Sequence, residues 1–151
     1  MPDKGKVLGI DYGDAKIGVA ISDESQTVAF GRVLIKNKSR ESVIKQIKEI
    51  CDSEKVVEIV IGLPLNMDGE ETAQTRKVEQ FGDVLESQIG LPVNYNDERL
   101  TSAESDAILY TLGVKGSGKS KKNVKKQEQD IIAASLILQN YLNLLTGKQG
   151  K

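Results

Sequence analysis

Apolar residues along this chain fall first in period two, then in helical spacing, then in an alternation of the two. Val7-Leu8-Gly9-Ile10-Asp11-Tyr12-Gly13 reads as a buried strand over about 6–12, and Ile17-Gly18-Val19-Ala20-Ile21 as a second over about 17–22. Thr27 to Ile35 reads as a third, and the short turns between the three predict an antiparallel meander. Val43, Ile47, Ile50 and Cys51 then recur at helical spacing from about Ser39. Val56 to Gly62 is a buried strand, and Pro64 and Asp68-Gly69 punctuate the loop after it. A helix is expected from Glu70 to about Ile89, with acids in its first turn and Val78, Phe81, Leu85 and Ile89 on one face. Leu91 to Asn96 is a short strand. Thr101 and Glu104 form a capping-box pattern opening a helix to about Leu112. Residues 113–127 read as a flexible, glycine- and lysine-rich basic loop, Asp130 to Leu145 as the last helix, and 146–151 as frayed. A meander followed by helix–strand alternation gives an α/β chain with a mixed five-stranded sheet, the three-strand antiparallel meander plus two parallel strands, and helices on both faces. No linker divides the chain, so residues 1–151 are expected to form one domain.

Composition changes that picture mainly by what it excludes. There is no histidine and only one cysteine, Cys51. Ser-His-Asp and Cys-His nucleophiles, a cysteine/histidine zinc site and an intrachain disulfide are all ruled out. Carboxylates, lysines and backbone groups must carry any catalysis, and hard oxygen ligands favour Mg²⁺ or Mn²⁺. No apolar run is long enough to span a membrane, and no signal peptide precedes the first strand, so a cytoplasmic protein is expected. The net charge of −1 does not announce a nucleic-acid binder. The charge is unevenly spread, however: six lysines and no acid lie between Lys115 and Lys126. Such a segment binds phosphates or is simply a solvated loop.

Three acids stand at unusual points. Asp11 sits inside an apolar strand, where a carboxylate costs desolvation free energy unless something compensates it. The alternative is that it caps the turn at Tyr12-Gly13-Asp14-Ala15, for which Asp14 is better placed. Glu98 falls just past a strand, where ligands bind in such sheets, and taken alone also reads as a loop acid paired locally with Arg99. Asp130 shares a helical face with Ala133, Ala134 and Ile137, as an N-cap or as a ligand. Three convergent carboxylates suit phosphodiester hydrolysis. Two divalent ions about 3.5–4 Å apart activate a water and neutralise the leaving oxygen, with no need of histidine.

At these residues the chain resembles the YqgF/RuvX family. The resemblance is carried by Leu8-Gly9-Ile10-Asp11-Tyr12-Gly13 with Ile17 to Asp23, by Gly62-Leu63-Pro64 with Asn66-Met67-Asp68-Gly69, by Asp97-Glu98-Arg99-Leu100-Thr101, and by Asp130 to Ala134 with Ile137 to Leu142. These motifs stand in the family's order and span nearly the whole chain. The resemblance implies an RNase H-like fold and a metal-dependent nuclease assigned to maturation of the 5′ end of 16S rRNA precursor. An earlier description of the family is as Holliday junction resolvases. Its catalytic, metal-holding acids fall on Asp11, Glu98 and Asp130, with Asp11 bridging two ions. Lys16 stands where the family often has arginine, which keeps the charge and loses a bidentate fork. Lys16, Arg99, Thr101, Lys119, Lys121, Lys122, Lys125 and Lys126 are the expected nucleic-acid contacts.

Other readings fare worse. Residues 113–120 match the Walker A pattern, but a capped helix precedes them where a strand is needed, and too little chain follows for an NTPase sheet. An actin-like phosphotransferase opens on a similar strand but needs two such domains. A non-catalytic nucleic-acid-binding module on the same fold would not need three acids. The expectation is therefore a cytoplasmic Mg²⁺/Mn²⁺ nuclease acting on structured RNA, or alternatively on branched DNA, as a monomer or homodimer.

Overall fold

The computed structural model describes residues 5–97 and 126–150. Three strands open the chain, β1 (Lys6–Tyr12), β2 (Lys16–Ser22) and β3 (Ala29–Lys36). Then come α1 (Arg40–Glu54), β4 (Val56–Leu63), α2 (Ala73–Ile89), β5 (Val93–Asp97) and, beyond the segment not described, α3 (Lys126–Gly150). The five strands form one mixed sheet in the order β3-β2-β1-β4-β5. β1–β2 and β2–β3 pair antiparallel, β1–β4 and β4–β5 parallel, as the expected meander plus two parallel strands requires. The fold is RNase H-like. Among the described residues no helix is long and apolar enough to cross a membrane.

Strand alternation sorts the core into two layers. Leu8, Ile10, Ile17, Val19, Ile59 and Ile61 pack on one face against Val43, Ile47 and Cys51 of α1 and Val78, Phe81 and Leu85 of α2. The opposite face carries Val7, Ala20, Ala29 and Val60 against Ala134, Leu138 and Leu142 of α3. That second layer is built of small residues, so α3 lies close to the sheet. Helix starts follow local chemistry. The Ser39 hydroxyl accepts the Ser42 N–H at 3.1 Å, capping α1.

Two boundaries differ from expectation. α2 begins at Ala73, not Glu70, and Glu70 and Glu71 precede it. Asn66 Oδ1 accepts the N–H groups of Asp68 and Glu70, both at 2.9 Å, and Glu71 bridges back to Leu65, so the acids belong to a turn. A Thr72–Thr75 capping box then starts the helix. α3 begins at Lys126, so Lys126 and Gln127 are helical and Asp130 is not the opening residue. Good helix formers at 126–129, with Glu128 and Asp130 close to the positive end of the dipole, favour that earlier start. α3 also continues through Gly150, where fraying from 146 is expected; a lone Gly147 without a proline does not stop a helix.

Candidate active site

Asp11 lies in β1, half-buried, paired with Gly18 of β2. It lies within the strand, one residue before its end. By alternation it shares the α3-facing side of the sheet with Val7 and Gly9. Both glycines exist there for close approach. A Cβ on Gly9 would stand 2.6 Å from Leu138 Cβ, and one on Gly18 only 2.3 Å from the main-chain oxygen of Asp130. Gly9 therefore meets α3 near Leu138 and Gly18, opposite Asp11, meets it at Asp130. α3 runs back along the sheet and brings Asp130 to the strand pair that holds Asp11.

Asp130 also continues the four-residue row of Ala134, Leu138 and Leu142, all fully buried against the sheet. It is half-buried. Helical side chains lean toward the helix N-terminus, here toward the carboxyl end of β1. Lys16 opens β2 on the same face as Gly18, two residue pairs further out than Asp11, and is also half-buried. The turn between them is fixed: Asn37 Nδ2 donates to the Gly13 carbonyl at 2.9 Å, and the Asn37 N–H to the Ala15 carbonyl at 2.9 Å.

The C-terminal half of α3 is pinned at both flanks. Gln139 takes the Ala29 N–H and gives an N–H to the Thr27 carbonyl, each at 2.9 Å. On the other side the Tyr141 hydroxyl donates to Glu58, which also accepts from Asn94 Nδ2 at 2.5 Å. Burial, then the Glu58 carboxylate, push the Tyr141 pKa up, so it remains a hydroxyl donor throughout the ordinary pH range.

β5 ends at Asp97. Its Asn96 is 3% exposed. The Asn96 Oδ1 accepts from Asn140 Nδ2 of α3 at 3.1 Å, while Asn96 Nδ2 is buried and finds no acceptor among the described residues. Sequence reading misses both asparagines. Asn94 and Asn96 alternate as polar residues, a solvent-face pattern, but while Asn94 is exposed, Asn96 is buried toward α3.

The structure thus brings Asp11, Asp130 and Lys16 together on one face. Among the described residues no three acids stand close enough to hold a metal ion. Glu98 follows β5 by one residue in sequence and lies outside the described residues, as do Arg99, Thr101, Lys119, Lys121, Lys122, Lys125, the Thr101 helix and the Walker-like 113–120 segment. Lys126 belongs to α3, and its side chain is likewise outside them. The residues present fit a hard divalent cation. Asp11 on a strand and Asp130 on a helix offer hard oxygen donors on one face, without a histidine or thiolate, and the Asn96 Nδ2 on that face, with no acceptor among the described residues, can hold a ligating oxygen.

Comparison with known proteins gives a consistent picture. A family model described as "RuvX: Holliday junction resolvase" matches residues 5–144. A "Putative pre-16S rRNA nuclease" of Maridesulfovibrio salexigens is 41% identical over 137 residues, 91% of this chain and 97% of that protein. One of the same name from Caldanaerobacter subterraneus subsp. tengcongensis is 42% identical over 138 residues, 91% and 96% of the two chains. Among solved structures, T. thermophilus RuvC in complex with Holliday junction substrate superposes with a TM-score of 0.60 at 14% identity, covering 97% of each chain. At that identity the likeness shows the fold alone.

Proposed function

We propose, from the premise that this chain belongs to the RuvX family, that it is a divalent-metal-dependent nuclease that trims the 5′ end of pre-16S rRNA in the cytoplasm. The observation that carries this reading is the contact of Asp130 with Gly18, the residue paired with Asp11. It sets two carboxylates from different elements on one face, at the carboxyl end of β1.

In this reading Asp11, Glu98 and Asp130 would hold Mg²⁺ or Mn²⁺. When bound, such ions supply positive charge at the phosphate and make an attacking water more acidic. The chain's own part is to fix its carboxylates on a strand and a helix that packing holds in place, so that little reorganisation accompanies reaction. Lys16, on the same face, meets a phosphate oxygen as a point charge. Arg99, Thr101 and the lysines at 119, 121, 122, 125 and 126 contact the nucleic-acid backbone further along. Residues 1–151 act as one RNase H-like unit.

The test is cleavage of a 16S precursor RNA and of a four-way DNA junction, each with Mn²⁺ or with a chelator. Cutting of the precursor, lost on chelation, is the expected result. Cutting of the junction alone moves the function to branched DNA and predicts a homodimer, because a symmetric junction presents two strands to cut. No cutting of either, with retained RNA binding, leaves a binding module. Binding also carries a salt signature. Seven cations on phosphates release counterions, so affinity should fall on the order of 10³-fold between about 50 and about 200 mM salt. A flat response, measured by fluorescence anisotropy, removes the lysine assignments and leaves the acids untouched.

A further inference from the structure

The buried asparagine pair at the end of β5 is a poor device for stability alone. One hydrogen bond, Asn140 Nδ2 to Asn96 Oδ1, is made. One donor on the same amide, Asn96 Nδ2, is buried and has no acceptor among the described residues. Leaving a buried donor unmade costs more than a single neutral hydrogen bond returns, and apolar residues of the same shape would fill the space without that cost. A bound ligand is one such missing acceptor.

Its place in the sheet says what kind. Ile10 pairs with Ile61, and Gly62 with Asn96. Asp11 and Asn96 therefore stand at the same height, two strands apart, about 10 Å between main chains. Both face α3, and Gly62 between them carries no side chain to separate them. Oδ1 is engaged by Asn140, so the free branch of the amide is a pure donor. A donor cannot ligate a cation, but it can orient an oxygen that does, as the partners of metal ligands commonly do.

We propose that Asn96 is a positioning residue of the metal site, a role that rests on Asp11 and Asp130 being metal ligands: its buried Nδ2 donates to an oxygen that ligates the bound ion. Asn140 engages the Asn96 Oδ1 and joins β5 to the helix that carries Asp130.

The measurement is Mn²⁺ affinity of the full chain by electron paramagnetic resonance of the free ion, without substrate, beside thermal unfolding of the metal-free protein. Asn140→Leu, Asn96→Leu/Asn140→Leu and Asp11→Asn are compared with wild type. The expected result is a dissociation constant within about threefold of wild type for Asn140→Leu and raised about tenfold or more for the double variant. The metal-free double variant should melt no lower than Asn140→Leu, because it buries no orphaned polar atom. Should the leucines prevent folding, Asn96→Ala against Asn140→Ala gives the same comparison. If the double variant binds Mn²⁺ as tightly as Asn140→Leu while Asp11→Asn loses it, Asn96 is structural only and the metal site stands. If wild type does not bind Mn²⁺, or Asp11→Asn binds it unchanged, the metal-site reading fails and the role of Asn96 with it.

Discussion

Asp11→Asn is expected to lower the cleavage rate about 10³-fold or more, roughly 4 kcal/mol of transition-state stabilisation, while leaving the protein folded. The substitution keeps the size of the side chain and its hydrogen-bonding capacity and removes only the charge. Asp11 is half-buried on the α3-facing side of the sheet, in line with Val7 and Gly9. The melting temperature of the metal-free variant supplies the baseline. The difference should appear when Mn²⁺ is added. A ligand at about a hundredfold its dissociation constant stabilises the native state by about 2.7 kcal/mol. Wild type should show that upward shift in a thermal melt, and the variant should show little of it. A variant that cleaves at the wild-type rate would take Asp11 out of the machinery.

The acid in β1 is legible in the sequence, because Asp11 interrupts the apolar run from Val7 to Gly13. The sheet is equally legible. Its strands are short apolar runs bounded by glycine, proline and Asp-Gly, and each is found within two or three residues of its expected limits. What escapes is whatever depends on a partner distant in sequence. Glu70 and Glu71 look like first-turn acids until Asn66 is seen to claim the Glu70 N–H for a turn. Asp130 looks like a possible N-cap because the apolar face begins there, yet four preceding helical residues put it inside α3. Asn96 reads as solvent-facing from period two alone, since the pattern cannot tell that Asn140 lies over it. The glycines are the subtlest case. Gly9 and Gly18 are visible as gaps in the apolar pattern, but only the packed helix distinguishes a seat for α3 from a mere gap.

That distinction makes Gly18→Ala the sharper structural prediction. The added methyl would sit 2.3 Å from the Asp130 carbonyl oxygen and 3.0 Å from its carbonyl carbon. These are helix backbone atoms, so no side-chain rotation relieves the contact, and α3 must lift from the sheet. Overpacking of this kind costs about 2–3 kcal/mol, a fall of about 5–10 °C in melting temperature. The helix end that must move carries Asp130. A displacement of about 1 Å between reacting groups costs about 10²-fold in rate, beyond any loss of folded protein. Gly9→Ala supplies the control. Its methyl would press on Leu138 Cβ at 2.6 Å, two helical turns away from Asp130. It should destabilise to a similar degree and slow cleavage per folded molecule far less. The measurement is initial rate normalised to folded fraction, at a temperature well below both melting transitions. Equal normalised losses in the two variants would mean that the close seat of α3 serves stability throughout its length. A loss concentrated in Gly18→Ala would tie the absence of one Cβ in β2 to the distance between two carboxylates, which is the quantity that cleavage depends on.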